Sequence, residues 1–185
     1  LKPKLKEKII GQDDIIEKIC DSLHLVDLGF KEKGKPIGVY LFLGESGVGK
    51  TELAKEISKL YFSRDDAYIK LDMETFSEAS SVSKIVGASP GYIGHDDETF
   101  LLEKIRMNPN SVVILDEIEK ANKEVINLFL NVFDEGYLID SKKRKIDFSN
   151  SIIIMTSNLG FSNKKSNVGF NKIEKNKEEF NKEIF

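Results

Sequence analysis

Apolar side chains return at helical spacing through residues 12–28, where Ile15, Ile16, Ile19, Leu23 and Val26 share a face and Gly29 closes the pattern. A polar connector, Lys31 to Pro36, leads to Ile37–Leu43, a short apolar run ending in glycine that predicts a buried strand. A helix is then expected from about Lys50 to Leu60 and a strand over Ala67–Asp72. Pro90, Gly91 and Gly94 make residues 88–97 a loop, and Thr99–Met107 reads as a helix broken by Pro109 and Asn110. Val112–Leu115 and Ile152–Met155 are two more apolar runs of strand length. Between them lies an amphipathic helix carrying Val125, Ile126, Leu128, Phe129, Val132 and Phe133. A hairpin follows, pairing Tyr137–Ile139 with Lys145–Phe148 around the charged turn Ser141–Arg144. Strands alternating with helices predict an α/β fold with a parallel sheet. Residues 161–185 carry many Asn, Lys and Glu and few apolar side chains, so they are expected as a polar loop and a frayed helix after a domain spanning 1–160.

Composition narrows the classes. The 185 residues are 40% hydrophobic and 32% charged, enough for one domain with a core and unlike a disordered chain. A net charge of -3 speaks against a domain that grips nucleic-acid phosphates. No apolar run approaches the roughly 20 residues of a membrane span, so no membrane insertion is expected. Cys20 is the only cysteine, which excludes a disulfide framework and suits a soluble, reducing compartment. Lys is far commoner than Arg, and Ile outnumbers Val, biases that follow from AT-rich codons. A plastid stroma and a bacterial cytoplasm both fit them.

The chemistry begins at Gly44-Glu45-Ser46-Gly47-Val48-Gly49-Lys50-Thr51, which fits G-x-x-x-x-G-K-[ST] at every fixed position. Glycines let such a loop curl so that its N–H groups face a phosphate, and the helix that follows, with Glu52 in its first turn, adds its dipole. Lys50 would reach the β- and γ-phosphates, and the Thr51 hydroxyl would hold Mg²⁺. A buried strand before the loop and a helix after it separate this from an ordinary glycine turn. Val112-Val113-Ile114-Leu115-Asp116-Glu117 supplies the complement, with two carboxylates at the C-terminal end of an apolar strand. There Asp116 would bind Mg²⁺ through its water shell, and Glu117 would orient or deprotonate the attacking water. Asn158 closes a third apolar strand, where it is either a turn former or a hydrogen-bond partner of the γ-phosphate or the water. The other polar candidates have plainer readings. His24 and His95 lack ligating neighbours, Cys20 falls on an apolar face, and Lys2, Lys4, Lys6 and Lys8 read as a solvated end or a transit-peptide remnant.

These pieces in this order resemble an AAA+ ATPase, and the connecting residues resemble the second ATPase module of the Clp unfoldases ClpA, ClpB and ClpC, with ClpC nearest. The likeness rests on Ile10-Gly11-Gln12-Asp13, Gly87-Ala88-Ser89-Pro90-Gly91-Tyr92-Ile93-Gly94, Leu115-Asp116-Glu117-Ile118-Glu119-Lys120-Ala121 and Ile154-Met155-Thr156-Ser157-Asn158-Leu159-Gly160. It implies the large subdomain of a P-loop NTPase with sheet order 1-4-3-2, the Asn158 strand lying between the P-loop strand and the Asp116 strand. It implies ATP and Mg²⁺ as ligands, Ile9 and Ile10 flanking the adenine, and a homo-hexameric ring that pulls unfolded polypeptide through its pore. Tyr92, with Ile93, stands where that family grips the substrate. Val168-Gly169-Phe170 resembles the tripeptide by which ClpA and ClpC dock a ClpP-type peptidase, although Phe170 could instead fold back onto the domain.

Departures from the family are Glu98-Thr99 in place of a glycine pair, and Tyr137 and Ser149 where arginine is common. The family's arginine finger, fifth strand and small helical lid have no counterpart up to Phe185, so the chain alone is expected to bind ATP weakly and hydrolyse it negligibly. The resemblance leaves open a ClpB-like disaggregase without a peptidase. A nucleic-acid-linked AAA+ motor and a nucleotide-binding scaffold without turnover are the other readings, the first disfavoured by charge and by the Tyr92 loop.

Overall fold

Runs such as Val112–Leu115 and Ile152–Ile154 have no polar face, so both faces of their strands must be covered. The chain achieves this with a parallel sheet between two helical layers. In a computed structural model, which describes residues 1–9, 11–87 and 100–159, the elements in chain order begin with α1 (Lys2–Lys8), α2 (Asp13–Asp27), β1 (Gly38–Leu43) and α3 (Lys50–Phe62). Next come β2 (Tyr68–Asp72), α4 (Val82–Val86), α5 (Phe100–Met107) and β3 (Val112–Asp116). The last are α6 (Lys123–Glu135), β4 (Tyr137–Ile139), β5 (Lys145–Asp147) and β6 (Ile152–Ser157). The parallel sheet has the order β1-β6-β3-β2, and β4 and β5 form the expected antiparallel hairpin. Counted within the parallel sheet alone, this is the order 1-4-3-2 implied by the resemblance.

Register divides the core. Val113, Leu115 and Ile153 point with Ile69 and Leu71 toward α4, α5, α6 and the hairpin, around the fully buried Phe129 and Phe148. Val112, Ile114, Ile152 and Ile154 point with Phe42 toward α1, α2 and α3. Cys20 lies in this second cluster, in keeping with core packing, and burial pushes its thiol pKa up.

Two expectations need correction. The run Ile37–Leu43 reads as a buried strand, yet among the described residues β1 is the sheet's edge and one of its faces is open. Phe42 is buried, whereas Val39 and Leu41 are 37% and 45% exposed. Edge position, which apolar content does not report, decides this. The lysine-rich start is likewise more than a solvated end. Pro3 opens helix α1, whose Leu5 is completely buried, while Lys6 pairs with Glu17 at 2.9 Å and Lys8 with Glu56 at 2.5 Å. The lysines face outward and the helix is held by one apolar side chain. His24 is exposed, as expected of a solvated histidine.

The ends of α6 are set by chemistry. Asn122 caps it, its Oδ1 accepting from the Glu124 N–H at 3.0 Å, and Gly136 ends it in the left-handed region at φ 70°. The connector before β1 crosses this turn, and Lys31 Nζ donates to the Ser149 carbonyl. Residues 10, 88–99 and 160–185 lie outside the described residues, and with them Ile10, Tyr92, Ile93, His95, Glu98, Thr99, Val168, Gly169 and Phe170.

Candidate functional site

The strand β1 delivers the chain into the glycine loop at one end of the sheet, and the loop runs into α3. Gly47 and Gly49 hold φ 81° and 91°, a conformation that side chains disfavour, and this lets the loop turn tightly enough to point inward. A Cβ on Gly44 would lie 3.3 Å from a Val48 methyl. Gln12, just before α2, donates from Nε2 to the Val48 carbonyl at 2.6 Å and ties the first helical layer to the loop.

Lys50 folds back over that loop. Its Nζ donates to the carbonyls of Gly44 at 2.6 Å and Glu45 at 2.8 Å, and to Asn158 Oδ1 at 2.6 Å. An ammonium has three donors, and all three are engaged. Burial draws the Lys50 pKa down, and the carboxylates of Glu119, Asp116 and Glu117 oppose that pull.

Opposite the lysine stand the tips of β3 and β6. Asp116 Oδ1 accepts from Thr51 Oγ1 at 3.0 Å and from Thr156 Oγ1 at 2.5 Å, and Oδ2 is paired with Lys70 Nζ at 2.6 Å. Burial would raise the Asp116 pKa, but the bonds from Lys70, Thr156 and Thr51 outweigh it and hold the carboxyl below its ordinary value. For a depressed carboxylate the stabilising contribution is complete above the ordinary Asp range and is lost only as pH falls through the lower folded value, so Asp116 is anionic at neutral pH.

Glu117 takes a left-handed backbone at φ 57°, and its N–H donates to Thr156 Oγ1 at 3.0 Å. Asn158 joins the halves of the site, because its Nδ2 donates to Glu117 Oε1 at 3.0 Å while its Oδ1 receives Lys50. Its own backbone N–H donates to Glu119 Oε1 at 2.9 Å. The open cleft of about 300 Å³ is lined by the glycine loop, Lys50, Thr51, Glu52, Asp116, Glu117, Thr156 and Asn158.

The structure therefore brings together Ser46, Gly47, Gly49, Lys50, Thr51, Glu52, Asp116, Glu117 and Asn158 of the residues expected at the site, with Gly44, Glu45 and Val48 in the same loop. Ile9 is not among the cleft residues. It caps α1 and packs against the helical layer. Sequence reading missed Thr156, Lys70, Gln12 and Glu119. Thr156 was legible in principle, as a hydroxyl one residue beyond Met155, which pairs with Leu115 just before Asp116.

A parallel sheet whose edge strand feeds a glycine loop and helix, faced by paired carboxylates on a strand two places away, defines a P-loop module of the AAA+ type. The chain belongs to the AAA family: the family model of the AAA domain (Cdc48 subfamily) matches residues 35–185. It is similar to the "ATP-dependent Clp protease ATP-binding subunit ClpC" of Staphylococcus aureus (strain USA300), 49% identical over 160 residues, which is 86% of this chain and 20% of that protein. It is similar also to the "Chaperone protein ClpB" of Chlamydia caviae, 48% identical over 160 residues, 86% of this chain and 18% of that one. The chain spans about a fifth of the length of the curated relatives it matches. Among the described residues no helix is long and apolar enough to cross a membrane.

Proposed function

We propose that this module binds ATP with Mg²⁺ in the cleft and hydrolyses it to drive the unfolding of polypeptide substrates by a ring. The observation that carries the reading is Asn158, which touches the P-loop lysine with one end of its amide and the carboxylate after Asp116 with the other. The loop N–H groups of residues 44–49 and Lys50 would hold the phosphates, with Ile9 and Ile10 beside the adenine. The hydroxyl of Thr51 and the carboxylate of Asp116, 3.0 Å apart, are hard oxygen donors that fit Mg²⁺. When bound there, Mg²⁺ neutralises charge developing on the phosphate oxygens. Glu117 would take the proton of the attacking water, and Asn158 would hold Glu117 and the γ-phosphate in one frame.

The rest of the activity involves other chains. None of the three arginines lines the cleft, since Arg64, Arg106 and Arg144 are held by Asp66, Glu103 and Asp140. A cation for the transition state would then come from a neighbouring subunit of a homo-hexamer, and can contribute about 10³-fold or more in P-loop enzymes. This is why the chain alone is expected to turn ATP over negligibly. Tyr92 and Ile93 would grip the polypeptide in the pore, and no nucleic acid is needed. The compartment is soluble and reducing, a bacterial cytoplasm or a plastid stroma.

A ClpP-type peptidase is the proposed partner through Val168-Gly169-Phe170, an apolar anchor in a polar stretch. In the assembled parent, polar residues at Val168 and Phe170 should leave ATPase activity intact and abolish peptidase-dependent degradation. Unchanged degradation would move the protein to the ClpB side.

A further inference from the structure

We propose that Lys70 is a stand-in cation for the metal: before Mg²⁺ loads, its ammonium holds the second oxygen of Asp116, and loading requires that contact to open. The inference rests on the ATP–Mg²⁺ reading of the cleft and assigns a residue that neither the P-loop nor the carboxylate pair contains.

Lys70 pairs with Ile114 across β2 and β3, two residues before Asp116, so the two side chains leave the same face of the sheet. A lysine is long enough to span that offset, and Nζ reaches Oδ2 at 2.6 Å. The other oxygen of Asp116 already accepts from two hydroxyls, Thr51 and Thr156. Those bonds fix the carboxylate plane and leave Oδ2 as the place where a cation can sit. That is the oxygen Lys70 takes.

A divalent ion approaching the Thr51–Asp116 pair must share this small region with the ammonium, and two cations near one carboxylate repel. The Lys70 side chain is 40% exposed, against 18% for Asp116, so the lysine can swing its head into water when displaced while Asp116 stays in place. Lys70 is thus a positioning residue that keeps Asp116 aimed and compensated until the metal replaces it.

The test uses the 185-residue chain, with Mn²⁺ as the metal probe followed by its free-ion spin-resonance signal, without nucleotide. A parallel titration with ADP in EDTA reports the phosphate site independently of metal. Lys70→Met should bind Mn²⁺ about ten-fold more tightly than the parent chain, since removing one nearby charge is worth at least that much. Its ADP affinity in EDTA should match the parent. Lys70→Arg, which restores the cation, should return Mn²⁺ affinity toward the parent value. A merely structural role predicts the opposite, weaker metal and nucleotide binding together. Unchanged or weaker Mn²⁺ binding by Lys70→Met, with ADP binding intact, overturns the inference alone. Absence of ADP binding in the parent chain overturns the nucleotide reading and the inference with it. If Lys70→Met does not fold, Lys70→Gln is read by the same two titrations.

Discussion

Glu117→Gln in the assembled parent is expected to keep ATP affinity near that of the unmodified protein and to lower turnover by about 10²- to 10⁴-fold, the range for loss of a general base. Gln preserves the size of the side chain and its left-handed backbone, and the bond from the Glu117 N–H to Thr156 Oγ1 is untouched. What is lost is the carboxylate that accepts from Asn158 at 3.0 Å and could take a proton from water. Nucleotide binding depends on the loop, Lys50 and Thr51, which do not contact Glu117 Oε1 directly. A steady-state ATPase assay beside a fluorescent-nucleotide titration checks both halves. Turnover close to the unmodified rate would remove Glu117 from the role of base.

The second large effect is on stability. Gly136→Ala should cost roughly 3 kcal/mol, because the added Cβ combines a left-handed backbone with overpacking. At φ 70° the new Cβ would sit 1.8 Å from the Gly34 carbonyl oxygen, a backbone atom that can move only if the connector moves. That connector leads directly into β1 and the P-loop, so relief of the clash would propagate toward the site. A thermal melt should show a fall of about 10 °C for a domain of this size. Gly29→Ala is the control. Gly29 has φ 92° with nothing within 4 Å of its Cβ position, so only the backbone penalty applies and the loss should be about 1 kcal/mol. Equal melting temperatures for the two variants would remove the close approach of residues 34 and 136 as the cause.

What was legible in the sequence had short-range causes. The glycine loop, Lys50 and Thr51 stand at fixed spacing, so one local pattern located the phosphate site. The apolar strands that end in Asp116, Glu117 and Asn158 placed those residues at one end of the sheet. Contacts set by register across strands were not legible. Lys70 looks like any outward lysine on β2 until β3 is laid beside it and Asp116 comes within 2.6 Å. Thr156 looks like the fading end of an apolar run, yet it bonds both Asp116 and the Glu117 backbone. The exposed face of β1 was missed for a related reason, since the same apolar pattern serves an edge strand and a central one. Helix α1 was hidden by its lysines, and the single buried Leu5 gave no periodicity to read.

Lys50 and the cleft it closes are central to nucleotide binding, and calorimetric titration of ATP with Mg²⁺ into the chain tests their role directly. The unmodified chain should bind one ATP, and Lys50→Ala, with an unchanged circular-dichroism spectrum, should bind at least about 100-fold more weakly. A charge-assisted phosphate contact in a partly buried site is worth about that factor. ATP binding by Lys50→Ala equal to that of the unmodified chain, or no binding by either, would contradict that role.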